Sequence, residues 1–327
     1  VPSAPLFALP THADDLSRIE AALDASVHSS DPYLNEIASH LIVAGGKRLR
    51  PILTVVAAQV AGDGDAARYE RSIQGGIACE LVQTGSLYHD DVMDEADTRR
   101  GVDTVNAKWG NLQAILAGDF LLARASEIAA SLSTEVAGLL AATIGRLCEG
   151  QIEELRQTYN AARPEASYIS SISGKTASLF SAAARIGGLV ADHPRVVTDA
   201  LTEYGEAFGM VFQIVDDLLD ITATDEQLGK PAGHDMVEGV YTLPVLRTLQ
   251  AGGVAAVELL SLLGKPLDSV EQDKALSIVR SNGGAAESVK VAQAWVAKAE
   301  AACALMPQSP ATDVLRAAPG DLLRAHS

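Results

Sequence analysis

The sequence predicts an all-α fold: one domain built as a bundle of antiparallel helices. Three observations carry that expectation. The 327-residue chain is 48% hydrophobic but only 4% aromatic, with alanine and leucine dominant, so summed propensity favours helix along nearly its whole length. That apolar content is enough to bury one large core or two smaller ones. The turn-forming clusters fall between long periodic stretches, and none has the length or composition of a linker between domains.

Residues 1–15 carry Pro2, Pro5 and Pro10 and read as a flexible leader, with residues 16–327 as the folded domain. Asp14 and Asp15 suit the first turn of a helix, where carboxylates meet the positive end of the backbone dipole. Helices are expected over roughly 15–44, 48–62, 67–96, 104–131, 134–159, 165–191 and 194–223, with shorter ones from 238 onward. The breaks between them fall at Gly45-Gly46, Gly62-Asp63-Gly64, Arg100-Gly101, Gly229-Lys230-Pro231 and Gly252-Gly253. Those at 45 and 229 are rich in basic residues, which in so acidic a chain points to an anion site.

The formal net charge is −17, and no basic tract of the kind that neutralises a phosphate backbone is present, so nucleic acid is excluded as a partner. An acidic protein that handles anionic substrates must gather its positive charge locally or recruit metal cations. Cys79, Cys148 and Cys303 lie too far apart for a metal-ligand motif or a disulfide scaffold, which suits a reducing cytoplasm. The N-terminal residues lack the basic start of a signal peptide. No apolar run approaches the roughly 20 residues of a transmembrane segment, so a soluble protein is expected.

Asp90, Asp91 and Asp94 in HDDVMD recur with the same internal spacing as Asp216, Asp217 and Asp220 in VDDLLD. On a helix the first and last carboxylates of each set lie one above the other, about a turn apart. A single DDxxD string is more often an exposed acidic face than a metal site. Here each copy ends an apolar run, Ile77 to Tyr88 and Phe208 to Val215, where a merely solvated face is out of place. Oxygen ligands at this density select hard cations such as Mg²⁺, which binds through a few carboxylates together with substrate phosphates. Two opposed clusters of this kind are machinery for ionising a C–O bond next to a diphosphate. A second, metal-free cationic pocket is then needed for a second anion. GGKRLRP at 45–51, with three cations expected to reach outward, and Arg99-Arg100-Gly101 could supply it.

With these residues in view, the chain resembles the trans-isoprenyl diphosphate synthases, or polyprenyl synthetases, from about residue 35 to 250. The resemblance rests on GGKRLRP at 45–51, ELVQTGSLYHDDVMDEADTRRG at 80–101, AGDFLLARA at 117–125, GQ at 150–151, GKTASL at 174–179, FQIVDDLLD at 212–220, GKPAGHD at 229–235 and TLP at 242–244. It implies the isoprenoid-synthase arrangement of helices around a central substrate cavity, and head-to-tail condensation of isopentenyl diphosphate with an allylic diphosphate. It implies that Asp90, Asp91, Asp94, Asp216, Asp217 and Asp220 hold Mg²⁺, about three ions per site, against the allylic diphosphate. By the same resemblance Lys47, Arg50, Gln83 and Arg100 form the isopentenyl diphosphate pocket, and Arg99, Lys175 and Lys230 contact the allylic diphosphate. Thr176 and Gln213 turn oxygen dipoles toward the developing allylic cation. No side-chain nucleophile or catalytic histidine is required: His89 reads as a helix residue beside the metal site and His234 as a loop residue near the phosphates. One departure stands out. Many relatives carry lysine in a pattern like GKxTLP, whereas this chain has Gly239-Val240-Tyr241-Thr242, so one allylic contact is missing.

In this family the growing chain runs beneath the first Asp cluster, and bulky residues four or five positions before it stop growth early. This chain has Gly85 and Ser86 there, with Val82 and Cys79 deeper, Cys79 by roughly 16 Å. None is a floor, so a product longer than about twenty carbons is expected unless a facing residue such as Phe120 closes the channel. So apolar a product implies release at a membrane surface or to a carrier. The family also implies a homodimer, for which the apolar stretch 104–131 is a candidate surface. Three rival readings fit the sequence less well. A class I terpene cyclase leaves GGKRLRP and RRG without a role. A noncatalytic subunit of a heteromeric synthase typically loses one or both Asp clusters, and both are intact here. A di-iron bundle calls for Glu-x-x-His pairs on facing helices, which are lacking.

Overall fold

Asp14 and Asp15 do lie in the first turn of a helix, but α1 (His12–Ser26) starts early enough to take residues 12–15 out of the expected leader. In this computed structural model the described residues are 9, 11–62, 66–224 and 232–326. The helix expected over 15–44 is two. Asp31 accepts a hydrogen bond from the Tyr33 amide at 2.9 Å and Pro32 occupies the first helical position, so α2 (Pro32–Val43) begins afresh. The basic loop 44–48 follows, then α3 (Leu49–Ala58) and the 28-residue α4 (Ala66–Met93). A minimal hairpin, β1 (Thr98–Arg99) with β2 (Val102–Asp103), turns the chain back. The stretch expected as one helix over 104–131 is also interrupted: Gly110 at φ 93° separates α5 (Val105–Trp109) from α6 (Asn111–Leu132).

α7 (Thr134–Arg156) follows after a single capping serine, Ser133, whose hydroxyl accepts from the Val136 amide. The stretch 165–191 is not one regular helix but α8 (Glu165–Ile172), a π turn over Ser173–Ala177, and α9 (Ser178–Val190). α10 (Arg195–Thr222) matches α4 at 28 residues, about 42 Å of helix. The chain ends in α11 (His234–Val237), α12 (Leu243–Gln250), α13 (Gly253–Leu262), α14 (Ser269–Ser281), α15 (Gly284–Cys303) and α16 (Pro310–Arg324).

The core gathers around α9, whose serine, alanine and glycine side chains let α3, α4 and α10 approach it closely. α6 packs along the outer side of α4, while α15 packs along α10. The long helices α4 and α10 therefore flank the centre, each ending in one of the Asp clusters. Among the described residues no helix is long and apolar enough to cross a membrane.

Candidate active site

Both Asp clusters sit at the C-terminal end of a helix, where the backbone dipole is itself negative. Burial, mutual repulsion and dipole act in one direction, so each cluster needs positive charge. Burial raises the pKa of Asp90, Asp91 and Asp94 above the ordinary carboxylate value, the charge of Lys175 or Arg99 only partly opposing it. Asp91 is nearly inaccessible. Its Oδ1 accepts from Arg99 Nε at 2.5 Å, while Oδ2 makes no hydrogen bond among the described residues.

Lys175 is brought to the first cluster by the π turn and a pair of glycines. A Cβ added to Gly150 on α7 would lie 2.5 Å from the Lys175 amide nitrogen, and one added to Gly174 would lie 3.0 Å from the Gly150 Cα. Only glycine at both positions lets the turn press onto α7. Lys175 Nζ then reaches Glu154 Oε1 at 2.6 Å. Burial alone would lower this ammonium, but Glu154, Asp90 and Asp94 outweigh it and hold it above the usual lysine value.

The second cluster is held by side chains from two neighbouring elements. Thr176 Oγ1 donates to Gln213 Oε1 at 2.7 Å, Gln213 Nε2 to Asp217 Oδ1 at 2.8 Å, and the buried Tyr168 hydroxyl to Asp217 Oδ2 at 2.6 Å. Burial pushes Asp217 up to about 7 despite these donors, with Asp216 and Glu154 adding to the rise. Asp220 is buried and accepts from the Asp235 amide at 3.3 Å, so it also fastens the 233–235 turn; Asp216 is exposed, within the field of Lys47. Glu154 acts on Asp90, Asp94 and Asp217 alike, which places the carboxylates of α4 and α10 around one centre.

The basic loop divides its cations. Arg48 does not reach outward as the sequence suggested: it is 1% exposed and pairs with Glu20 at 2.8 Å and Glu80 at 3.2 Å, while Nη2 donates to the Ile42 carbonyl. An arginine that can satisfy its fork on two carboxylates and a carbonyl is better placed inside than in water. Arg50 lies 4.4 Å from the Phe180 ring, and its Nε makes no hydrogen bond among the described residues. Burial, together with Arg100, lowers it to about 10, with Glu80 opposing. Arg100 Nη1 donates to the carbonyls of Leu41 (2.7 Å) and Gly45. The Tyr88 hydroxyl, which donates to the Ile37 carbonyl, ties the end of α2 to α4 and so keeps those acceptors in place. Burial lowers Lys47, while Asp216 opposes the change. Gln83 follows Glu80 by three residues on α4 and therefore shares its face toward these arginines.

The remaining sequence candidates are distributed as follows. Lys230 lies outside the described residues. A Cβ at Gly85 would meet the Gly118 carbonyl at 3.0 Å, so its smallness serves the contact of α4 with α6. Cys79 is fully buried in the field of Arg50 and Glu80, on the basic-pocket side of α4. Ser86 is half-buried, Val82 buried, and Phe120 on α6 packs partly against the core. His89 Nε2 meets the Ile115 carbonyl at 3.1 Å and His234 pairs with Glu238 at 2.9 Å. Sequence reasoning missed Glu154, Tyr168 and Glu80. Glu154 follows the recognised Gly150-Gln151 by one helical turn, but nothing local marks its partner. Tyr168 and Glu80 read as ordinary helix residues.

Comparison with known proteins supplies the family. The polyprenyl synthetase family profile matches residues 31–279, longer than the motif-bearing stretch. The chain belongs to the polyprenyl synthetase family. It is similar to the nonaprenyl diphosphate synthase of Mycobacterium tuberculosis, 38% identical over 303 residues that cover 92% of this chain and 90% of that one. It is also similar to the heptaprenyl diphosphate synthase component 2 of Geobacillus stearothermophilus, 39% identical over 305 residues and 93% of each chain. The structure superposes on the polyprenyl synthase of Caulobacter crescentus complexed with calcium and isoprenyl diphosphate, with a TM-score of 0.91, 31% identity and full coverage of both chains. This polyprenyl synthetase is accordingly a trans-prenyltransferase that elongates prenyl chains, with the isoprenoid-synthase fold the motifs implied.

Proposed function

We propose that this synthetase condenses isopentenyl diphosphate with an allylic diphosphate in a Mg²⁺-dependent reaction and releases a trans-polyprenyl diphosphate longer than about twenty carbons. The observation that carries this reading is the convergence of two Asp-bearing helix ends on Glu154, the partner of Lys175, beside a separate arginine group. One anion thus meets carboxylates that need cations, and the other meets cations directly.

The donor set fits a hard divalent ion: crowded carboxylates at negative helix ends, with a buried Asp91 oxygen that has no donor among the described residues. Among the described residues no three acidic, histidine or cysteine side chains form a ready-made chelate, so substrate oxygens and waters would complete each ion's shell. Asp90, Asp91 and Asp94 would hold the ions from α4 and Asp216, Asp217 and Asp220 from α10. When bound, Mg²⁺ neutralises the diphosphate and stabilises the charge on its departing oxygen.

Lys175, Arg99 and Lys230 bind the allylic diphosphate; Lys47, Arg50, Gln83 and Arg100 bind isopentenyl diphosphate. Thr176 and Gln213 face the allylic carbon with their oxygen dipoles. The allylic C–O bond breaks, the isopentenyl double bond attacks the allylic carbon, and the proton lost passes to the departing diphosphate. Ser86 and Val82 line the tail channel without a bulky floor. Names such as nonaprenyl and heptaprenyl diphosphate synthase among the relatives support the longer product.

The enzyme acts as a homodimer in the cytoplasm, where its free cysteines are at home, and gives up its product at a membrane surface. Leu112, Ile115 and Leu116 on α6 lie level with Ile152 and Leu155 on the antiparallel α7, and all five are exposed, which supports that surface as the dimer contact. The test is incubation of the purified chain with Mg²⁺, labelled isopentenyl diphosphate and allylic primers of ten, fifteen or twenty carbons, with products separated by length. Extension past twenty carbons supports the proposal. Products that stop at fifteen or twenty refute the channel reading. No product from the chain alone, but product once a second component is added, refutes the homodimer.

A further inference from the structure

Arg163 is a buried cation that the elongation reaction, as described so far, does not use. It lies between α7 and α8 and is only 4% exposed. Its Nη2 donates to Ser171 Oγ at 2.7 Å and its Nη1 to the Tyr241 carbonyl at 3.4 Å. The guanidinium carbon is 5.6 Å from the Tyr168 ring centroid, and Nε makes no hydrogen bond among the described residues. Ionised groups buried this deeply need compensating charge. Burial lowers the guanidinium below its ordinary value, and the negative charges that oppose this are led by Glu154, with Asp217 among them. Both carboxylates belong to the candidate diphosphate site.

The loop that Arg163 touches is the one that departs from the family pattern. Tyr241, whose carbonyl it meets, directly follows Val240, where the resemblance leads one to look for lysine. From the same loop, Glu238 adds its negative charge to the field on Asp94. Segment 238–241 therefore runs between the first Asp cluster and Arg163. Tyr168, beside the guanidinium, is also the residue whose hydroxyl orients Asp217.

We propose that Arg163 is a positioning residue for the allylic diphosphate: it supplies from the protein interior the positive charge absent at residue 240, and it steadies Asp217 through Tyr168. This rests on the function proposed above. Arg163 does not touch substrate; its field and its hold on the Tyr241 loop act through neighbours.

The test is steady-state elongation, varying each substrate in turn, together with calorimetric binding of inorganic diphosphate in Mg²⁺. Variants are Arg163→Met, Arg163→Lys, Val240→Lys and the double variant Arg163→Met/Val240→Lys. Loss of one charge from a low-dielectric site predicts that Arg163→Met raises the allylic KM and the diphosphate Kd on the order of ten-fold, with the isopentenyl KM unchanged. Arg163→Lys keeps most of the affinity, and Val240→Lys restores most of it to the methionine variant. Equal changes in both KM values, a folded Arg163→Met with neither changed, or no recovery in the double variant would overturn the proposal. Should Arg163→Met not fold, Val240→Lys in the native chain decides: a change in allylic KM below about two-fold agrees with a site already supplied with charge, and a ten-fold improvement contradicts it. Native enzyme that elongates while Arg163→Met is neutral sinks this inference alone. Native enzyme that elongates no primer sinks the function beneath it.

Discussion

Replacing Gly150 by alanine adds only one methyl group, yet it should disable the enzyme. The new Cβ would stand 2.5 Å from the Lys175 amide nitrogen, 2.7 Å from the Ser171 carbonyl oxygen and 2.9 Å from the Gly174 carbonyl carbon. All three are backbone atoms, so no rotamer change relieves the contact, and the π turn must move away from α7 by roughly 1 Å. Overpacking of this kind costs about 1–3 kcal/mol. Lys175 Nζ sits 2.6 Å from Glu154, and the shift opens that pair and withdraws the ammonium from Asp90 and Asp94. A displacement of that size at a positioned catalytic group is worth about 100-fold in kcat. Urea unfolding and steady-state elongation would read the two effects separately. Gly138→Ala, on the same helix with nothing within 4 Å of the added Cβ, is the control and should be neutral or up to about 1 kcal/mol more stable. If Gly150→Ala retains activity within about three-fold of the parent, the glycine contact does not place Lys175.

Adjacent cations in the basic loop should behave oppositely. Arg48→Met strands Glu80 in the interior and should lose about 3–5 kcal/mol in chemical denaturation, whereas Lys47→Ala should leave stability within about 0.5 kcal/mol and raise the isopentenyl KM. Equal stability losses would contradict the inward and outward assignments. Ser86→Phe should shorten the product without lowering turnover of the shortest primer, and an unchanged product distribution would move the channel away from α4. Leu116→Asp, at a side chain 66% exposed in the single chain, should shift the sedimentation coefficient from dimer to monomer; an unaltered dimer would place the contact elsewhere.

Much of this was legible in the sequence because it depends on local spacing. Helix periodicity gave the long elements, and the two DDxxD strings fall where α4 and α10 end. Their breaks were less legible: Asp31-Pro32 and Gly110 interrupt patterns whose apolar periodicity alone runs on, and the π turn leaves no signature of its own in Ser173–Ala177. Arg48 shows the limit most clearly. Its neighbours in KRLR gave it the look of surface charge, but its carboxylate partners come from α1 and α4, at residues 20 and 80. Glu154 and Tyr168 were missed for the same reason, since each earns a role only through a tertiary partner on another element.

In the proposed reaction the carboxylates of α4 and α10 act together, with metal, on one diphosphate. Calorimetric titration of inorganic diphosphate into the native protein, Asp90→Asn and Asp216→Asn, each with Mg²⁺ and with chelator, tests it most directly. The native protein should bind only with Mg²⁺, and either variant should lose that binding. Binding that persists in chelator, or that survives in one of the two variants at native affinity, would contradict a shared metal–diphosphate site.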